Sequence, residues 1–447
     1  MVRKRDLTTS QAVEFVKDIL FNNSNKLYGL ELQLNLGEEP TPSLGNQVKR
    51  DASPPEVYDV QVFENFGRQN PVRFVYVQWL DYMGTIRGRV FPITEFRRII
   101  TKGARIGISL GNTGTLQNDT VTAASNTTGQ IYIEPDLSTL RRTHSKDPVS
   151  SASVLAFWRS ESGQPLKEDP RFGLQHLLSD LSTYHELSLL IGFEIEVTFL
   201  RRTSTLSDPY APLTTNHAWG SMTPEDTFIA LPILAEITTE LDAIGISVQQ
   251  FHSEAGAGQY EFVLPPLPAV QAVDALVQAR QVVHQIAATH GLRATLHPMP
   301  IKGVGTAAHA HISLNALDEA DPGPSEEAEM AFFAGVMKHL EAVCAFTLPE
   351  AVSYDRVIDD SWTGGTWVAW GTQNRETPLR RVEKGRWEVR CLDGMANMYL
   401  ALAAVVGAGL IGLRNGMKME VKDCQCECKS PHFVLCRATS DVVNRAH

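Results

Sequence analysis

Apolar and acidic residues alternate along Gly192–Leu200, GFEIEVTFL, at the period of two that marks a β-strand. On such a strand Glu194 and Glu196 share one face, while Phe193, Ile195 and Val197 share the other. The device recurs. Gln259–Val263 (QYEFV) follows Glu254 after a short glycine-rich turn, and His309–Ser313 (HAHIS) and Arg386–Arg390 (RWEVR) also turn polar groups to one side. A carboxylate facing inward needs a partner or a cation, so these strands together predict the wall of a cavity holding metal ions and a polyanion. Two further strands, Phe74–Asp81 and Ile86–Pro92, flank a turn at Tyr82–Thr85, and Gln130–Asp136 reads as another. Helical spacing marks Ala12–Phe21, Ile93–Lys102, Phe172–Thr183, Pro224–Ile244, Pro268–His290, Glu327–Phe346 and the very apolar Tyr399–Leu413. Asn397 stands where it would cap the last of these.

At 447 residues the chain can bury a large core and divide into more than one domain. The elements suggest an extension or linker over 1–69, a small β-rich domain over 70–150, a large domain over 151–423 that alternates strands with helices, and an atypical cysteine-containing tail over 424–447. A net charge of -11 argues against a nucleic-acid partner. No basic start is joined to an apolar stretch as in a secretory signal, and Ala401–Leu413 is too short to span a bilayer. A cytoplasmic protein without membrane contact is the expectation. Cys424, Cys426, Cys428 and Cys436 crowd beside His432, but they lack the C-x2-C spacing of a zinc knuckle and read as incidental.

From Val72 to Asp423 the chain resembles the glutamine synthetase family, in its fungal and bacterial branch of glutamine synthetase-like proteins. The resemblance is carried by FEIE at 193–196, EAGAGQYE at 254–261, HAHISL at 309–314, SYDR at 353–356, NRETPLR at 374–380 and RWEVRCLDGMANMYL at 386–400, in the family's order. It implies an α+β fold. A small N-terminal β-grasp-like domain, with Asp81 and Gly84 in its turn, would precede a large catalytic domain whose curved antiparallel sheet is backed by helices. It also implies a homo-oligomer built as rings.

By the same resemblance, Glu196, Glu254 and Glu261 would hold one Mg2+ or Mn2+ ion, and Glu194, His309 and Glu388 a second. Arg356 and Arg390 would take the carboxylates of glutamate beside Gly305, in the turn that holds its amino end. Arg375 and Arg380 would meet the phosphoryl group in flight, and His311, Ser313 and Arg386 the nucleotide. The implied reaction uses ATP to convert the glutamate side-chain carboxylate into an acyl phosphate, which ammonia or another amine then attacks.

The chain departs from the pattern where the amine should bind. The region of the family's aspartate-glycine-serine segment reads Leu110–Asn118 without that acid. The flap glutamate that takes the proton from ammonium aligns near Trp362, and an indole is no base. The turn at the amino end of glutamate reads Val304-Gly305. A larger organic amine is therefore a second acceptor beside ammonia, with Asp359 and Asp360 expected as an acidic rim. A non-catalytic scaffold or regulatory protein that keeps the nucleotide pocket is the alternative. After Lys422-Asp423 the family's helical C-terminal region gives way to sequence without helical periodicity, suggesting an altered reading frame.

Overall fold

The computed structural model describes residues 58–425 except 117, 123–125, 127, 146, 206–208, 216–217, 222 and 318–322. The helix expected at 12–21 and the residues Cys426, Cys428, His432 and Cys436 lie outside the described residues.

Helix α1 (Val60–Gln69) is capped by the Asp59 carboxylate. It leads into strands β1 (Phe74–Leu80) and β2 (Ile86–Pro92), helix α2 (Ile93–Lys102), and strands β3 (Ile106–Ser109), β4 (Gln130–Pro135), β5 (Arg141–Arg142) and β6 (Ser151–Arg159). These strands form one sheet in the order β2-β1-β6-β4-β3, with β5 on β6. Alternation along β1 drives Val75, Val77 and Trp79 into a core completed by Phe63, Phe96 and Trp158. The sheet is mixed, because β6 pairs parallel to β1. Residues 151–159 thus belong to this first sheet, whereas the sequence reading begins the large domain at 151. The polar Thr143–Ser153 stretch looks like a seam, yet Ser151 and Ala152 are buried as the first residues of that strand.

The second sheet is built on β7 (Leu187–Arg202), which follows α3 (Pro170–His185). It is joined by β8 (Tyr210–Pro212), then after α4 (Leu231–Ala243) by β9 (Gln250–Ser253), β10 (Gln259–Val263) and β11 (Leu267–Pro268). Helix α5 (Ala269–Thr289) and strands β12 (Leu292–Thr295) and β13 (Ala310–Ala316) come next, then α6 (Glu326–Lys338), α7 (Leu340–Thr347) and α8 (Ala351–Arg356). Strands β14 (Trp370–Thr372), β15 (Leu379–Glu383) and β16 (Arg386–Val389) and helix α9 (Met398–Arg414) complete it. The order is β14-β15-β16-β13-β7-β10-β9, and β8, β11 and β12 also pair with the long β7. Pairing is antiparallel except between β14 and β15. Phe193, Ile195, Val197 and Phe199 of β7 face the helices and are essentially inaccessible, as their spacing predicts. The fold is α+β, a curled sheet backed by helices.

Helix α9 is capped by Asn397, whose side chain accepts from the Tyr399 and Leu400 amides and donates to the Asp81 carbonyl, joining the two sheets' cores. Its glycines have a packing reason. A Cβ on Gly412 would lie 2.1 Å from the Ala331 carbonyl, and one on Gly335 would lie 2.2 Å from that of Ala408, so α6 and α9 meet backbone to backbone. The helix expected as one piece over 327–346 is broken at His339, and its halves diverge by 74°. No Pro or Gly marks the break; both halves bury apolar faces, and the bend lets each reach the same core. Among the described residues no single helix is long and apolar enough to cross a membrane.

Candidate functional site

The register of the second sheet assembles the site. Glu196 of β7 lies directly opposite Glu261 of β10, and Glu261 opposite His252 of β9. On the other side of β7, His309 immediately precedes β13, which carries His311, and His311 lies opposite Glu388 of β16. Like charges directly opposed on neighbouring strands repel, so this arrangement calls for cations.

Two groups result. In the first, the His309 Nδ1 lies 2.8 Å from Glu194 Oε2, 3.5 Å from Glu388 Oε1 and 3.8 Å from Glu196 Oε1. In the second, the His252 Nε2 lies 3.3 Å from Glu254 Oε1 and 3.8 Å from Glu261 Oε1. Each set, Glu194–His309–Glu388 and His252–Glu254–Glu261, could place ligand atoms within 4.8 Å of one another. Glu196 stands between them, and its Oε2 accepts from the Ala307 amide (2.8 Å) and from Gln259 Nε2 (3.1 Å).

The charges are strongly perturbed. Burial, reinforced by Glu194, Glu196 and Glu254, pushes the Glu261 carboxyl up to about 10. Burial also raises Glu196. For Glu194 burial acts upward but is overcome by hydrogen bonds from His309 and His311, which hold it well below the usual carboxylate range. For Glu388 burial is overcome by the Arg390 guanidinium, and the group is lowered. The His309 Nε2 is buried with no hydrogen-bond partner among the described residues. A crowded carboxylate set with an orphaned imidazole nitrogen fits Mg2+ or Mn2+.

Two chambers open on this wall. One, of about 560 Å³, is lined by Glu194, Glu196, Glu254, Glu261 and His309 together with Gly305, Arg356, Arg375 and Arg390. The other, of about 490 Å³, is lined by His311, Ser313, Arg375, Arg380 and Arg386, with apolar walls from Leu190, Val263 and Ile312. Glu194 and Arg375 line both. Of the metal, substrate and nucleotide residues expected from the sequence, Glu388 alone lines neither. It lies behind the wall, where Arg380 Nη1 donates to its Oε2 at 2.9 Å and Arg390 Nη1 to its Oε1.

Arg356 is buried, and its Nη2 donates to the Arg390 and Leu392 carbonyls at 3.3 and 3.4 Å. The Gly305 backbone lies against its stem. Arg386 Nη2 reaches His311 Nδ1 at 3.5 Å, and Ser313 Oγ accepts from Asn315. Arg381 is mostly covered, bonding Glu326 and Glu329 and lying over the Trp387 ring.

The segment Ile358–Gly365 borders the larger chamber. Trp362 has a left-handed backbone (φ 56°). Its N–H donates to Glu376 Oε1 at 2.5 Å, and its carbonyl accepts from Arg390 Nη2 at 2.7 Å. The expected acidic rim is not there. Asp359 accepts from the Thr366 amide and hydroxyl and from Trp367 Nε1, because its side chain organises its own loop, and neither Asp359 nor Asp360 lines the chamber.

Sequence reading missed His252, Trp219 and Glu376. His252 carried a signal, since it precedes Glu254 by one strand repeat; Trp219 sits in a loop without motif, and Glu376 lies inside NRETPLR among more conspicuous arginines.

Residues 167–425 match the family described as glutamine synthetase, catalytic domain. The chain is 44% identical over 434 residues to Protein fluG of Emericella nidulans, covering 96% of this chain and 48% of that protein, so it spans about half of that relative's length. It is 30% identical to gamma-glutamylpolyamine synthetase GlnA3 of Streptomyces coelicolor, covering 76% of this chain and 75% of that one. With a glutamine synthetase of Staphylococcus aureus it shares 27% identity over 82% of each. Among solved structures, GmaS in complex with ADP superimposes with a TM-score of 0.71 at 23% identity, covering 83% of this chain and 85% of that one. A structure described as a novel glutamine synthase homolog gives 0.67 at 25% identity, covering 78% and 84%.

Proposed function

Because the chain belongs to the glutamine synthetase family, we propose that it is an ATP-dependent carbon–nitrogen ligase that activates the side-chain carboxylate of glutamate and transfers the γ-glutamyl group to an amine. One observation carries the reading: two carboxylate–imidazole groups stand at the wall of the larger chamber, and Glu194 of the first group borders both chambers together with Arg375. Glutamate would occupy the larger chamber, its carboxylates held by the buried guanidinium of Arg356 and by Arg390, beside Gly305. The nucleotide would occupy the second, against His311, Ser313 and Arg386. Glu194, His309 and Glu388 would hold one divalent ion, and Glu254 and Glu261, with His252 and the adjacent Glu196, another. Bound there, the ions neutralise phosphate charge that the protein alone could not. Arg375 and Arg380 stabilise the phosphoryl oxygens during transfer to the glutamate carboxylate, and the lid at Ile358–Gly365 keeps water from the acyl phosphate. A cytoplasmic ring-shaped homo-oligomer belongs to the same reading.

The test is glutamate- and ATP-dependent phosphate release by the full chain with Mg2+ and hydroxylamine, which traps the acyl phosphate as γ-glutamyl hydroxamate. Hydroxamate is the expected product. Nucleotide binding without phosphate release, with hydroxylamine or any other amine, would establish the alternative, a regulatory protein, to which the indole at the lid's base position points.

A further inference from the structure

We propose that the acceptor is a primary amine bearing an apolar, aromatic body, gripped by Trp219 and Trp362 at the mouth of the larger chamber. The inference rests on the ligase reading and names its acceptor class.

Both indoles line that chamber, yet they remain 56% and 64% exposed, which sets them at its opening. Each is built into place. Trp219 donates its Nε1–H to Glu254 Oε1 at 3.1 Å and meets the His252 ring edge-on, with centroids 6.2 Å apart, so its ring stands beside the carboxylate wall. Trp362 adopts a left-handed backbone that a bulky residue rarely tolerates, held by Glu376 on its N–H and Arg390 on its carbonyl. Strain of this kind persists where the surroundings over-determine it, and it gathers at functional sites.

Met299, Val304 and Ile358 give the same chamber further apolar wall. Its only carboxylates among the described residues are Glu194, Glu196, Glu254 and Glu261, all within the cation-binding wall. No separate acid therefore lines it to select the second charge of a polyamine, and ammonium would leave the indoles without contact. An aromatic body can stack on indole, and its ammonium is drawn to an indole face.

In the step itself the amine arrives as R–NH3+ and loses one proton to water. Its nitrogen lone pair forms the N–C bond to the acyl carbon, the C–O bond to phosphate breaks with its electron pair, and the second proton leaves with phosphate. The γ-glutamyl amide, HPO4 2- and one released proton balance the step.

The test compares kcat/KM for 2-phenylethylamine, putrescine and ammonium in the full chain with glutamate, ATP and Mg2+, with hydroxylamine trapping run in parallel. The expected result is a preference of roughly tenfold or more for 2-phenylethylamine. Trp219→Ala should raise its KM about tenfold, and Trp219→Tyr should recover most of that loss. Hydroxamate formation with ammonium or putrescine as the better acceptor, or with an unchanged KM in Trp219→Ala, overturns this inference and leaves the ligase intact. Absence of hydroxamate overturns the ligase reading and this inference with it.

Discussion

Replacing Gly305 with alanine probes how tightly the glutamate end of the site is set. The new Cβ would lie 2.6 Å from Arg356 Cγ and 3.3 Å from its Cδ. Carbon atoms rest about 3.5–4.0 Å apart, so the arginine stem has to retreat by roughly 1 Å. It has little room, because Arg356 is 2% exposed and its guanidinium is tied to two carbonyls. Overpacking of this kind costs about 1–3 kcal/mol of stability. Displacing a substrate-positioning group by about 1 Å costs on the order of 100-fold in rate. Gly305→Ala should therefore fold, melt somewhat earlier, and lose roughly 100-fold in kcat/KM for glutamate. KM for ATP should change far less, since other side chains line the nucleotide chamber. Steady-state phosphate release with each substrate varied in turn separates the two, and a melting curve checks folding. An unchanged kcat/KM for glutamate in a folded variant would refute the assignment of Arg356 to that substrate.

Three further outcomes follow from the same geometry. Without metal the folded Glu261 carboxyl is held protonated at pH 7, a proton the unfolded chain does not carry. Glu261→Gln, which needs none, should therefore melt above the parent in EDTA at pH 7, while Mg2+ should raise its melting temperature less than the parent's. Gly412→Ala forces α6 and α9 apart and should cost about 1–3 kcal/mol in urea denaturation, with Ser at the same position costing at least as much. At Asp147 burial acts upward but is outweighed by hydrogen bonds from Ser151, Val149 and Thr143, which lower the carboxyl from 3.8 to about 2. Because the folded value lies below the unfolded one, the stabilisation is present above about pH 4 and is lost as pH falls towards 2. Asp147→Asn should accordingly lower the urea midpoint at pH 7, with the gap closing towards pH 2; a gap independent of pH contradicts the sign.

Much of this architecture was legible in the sequence. The β7 strand could be read because one face is wholly apolar and the other acidic, and a period of two admits no other regular structure. Helix α9 was legible from its unbroken apolar composition and the asparagine before it. Features decided by contacts between distant residues were not legible. Nothing in Glu327–Phe346 marks the break at His339, because packing against the core sets it. Glu388 could be recognised as an inward carboxylate, but its engagement by Arg380 as well as Arg390 depends on the pairing that sets Arg380 of β15 directly opposite it. Asp359 resembled a rim acid until its loop folded around it.

The most direct test is a calorimetric titration of Mn2+ into the metal-stripped full chain, repeated with Glu194→Ala and with Glu254→Ala. Two ions bound per chain, with each variant losing one, is the outcome expected of two carboxylate–imidazole groups. An absence of binding in the parent, or full stoichiometry in both variants, would mean that these strands do not hold the ions on which the proposed chemistry depends.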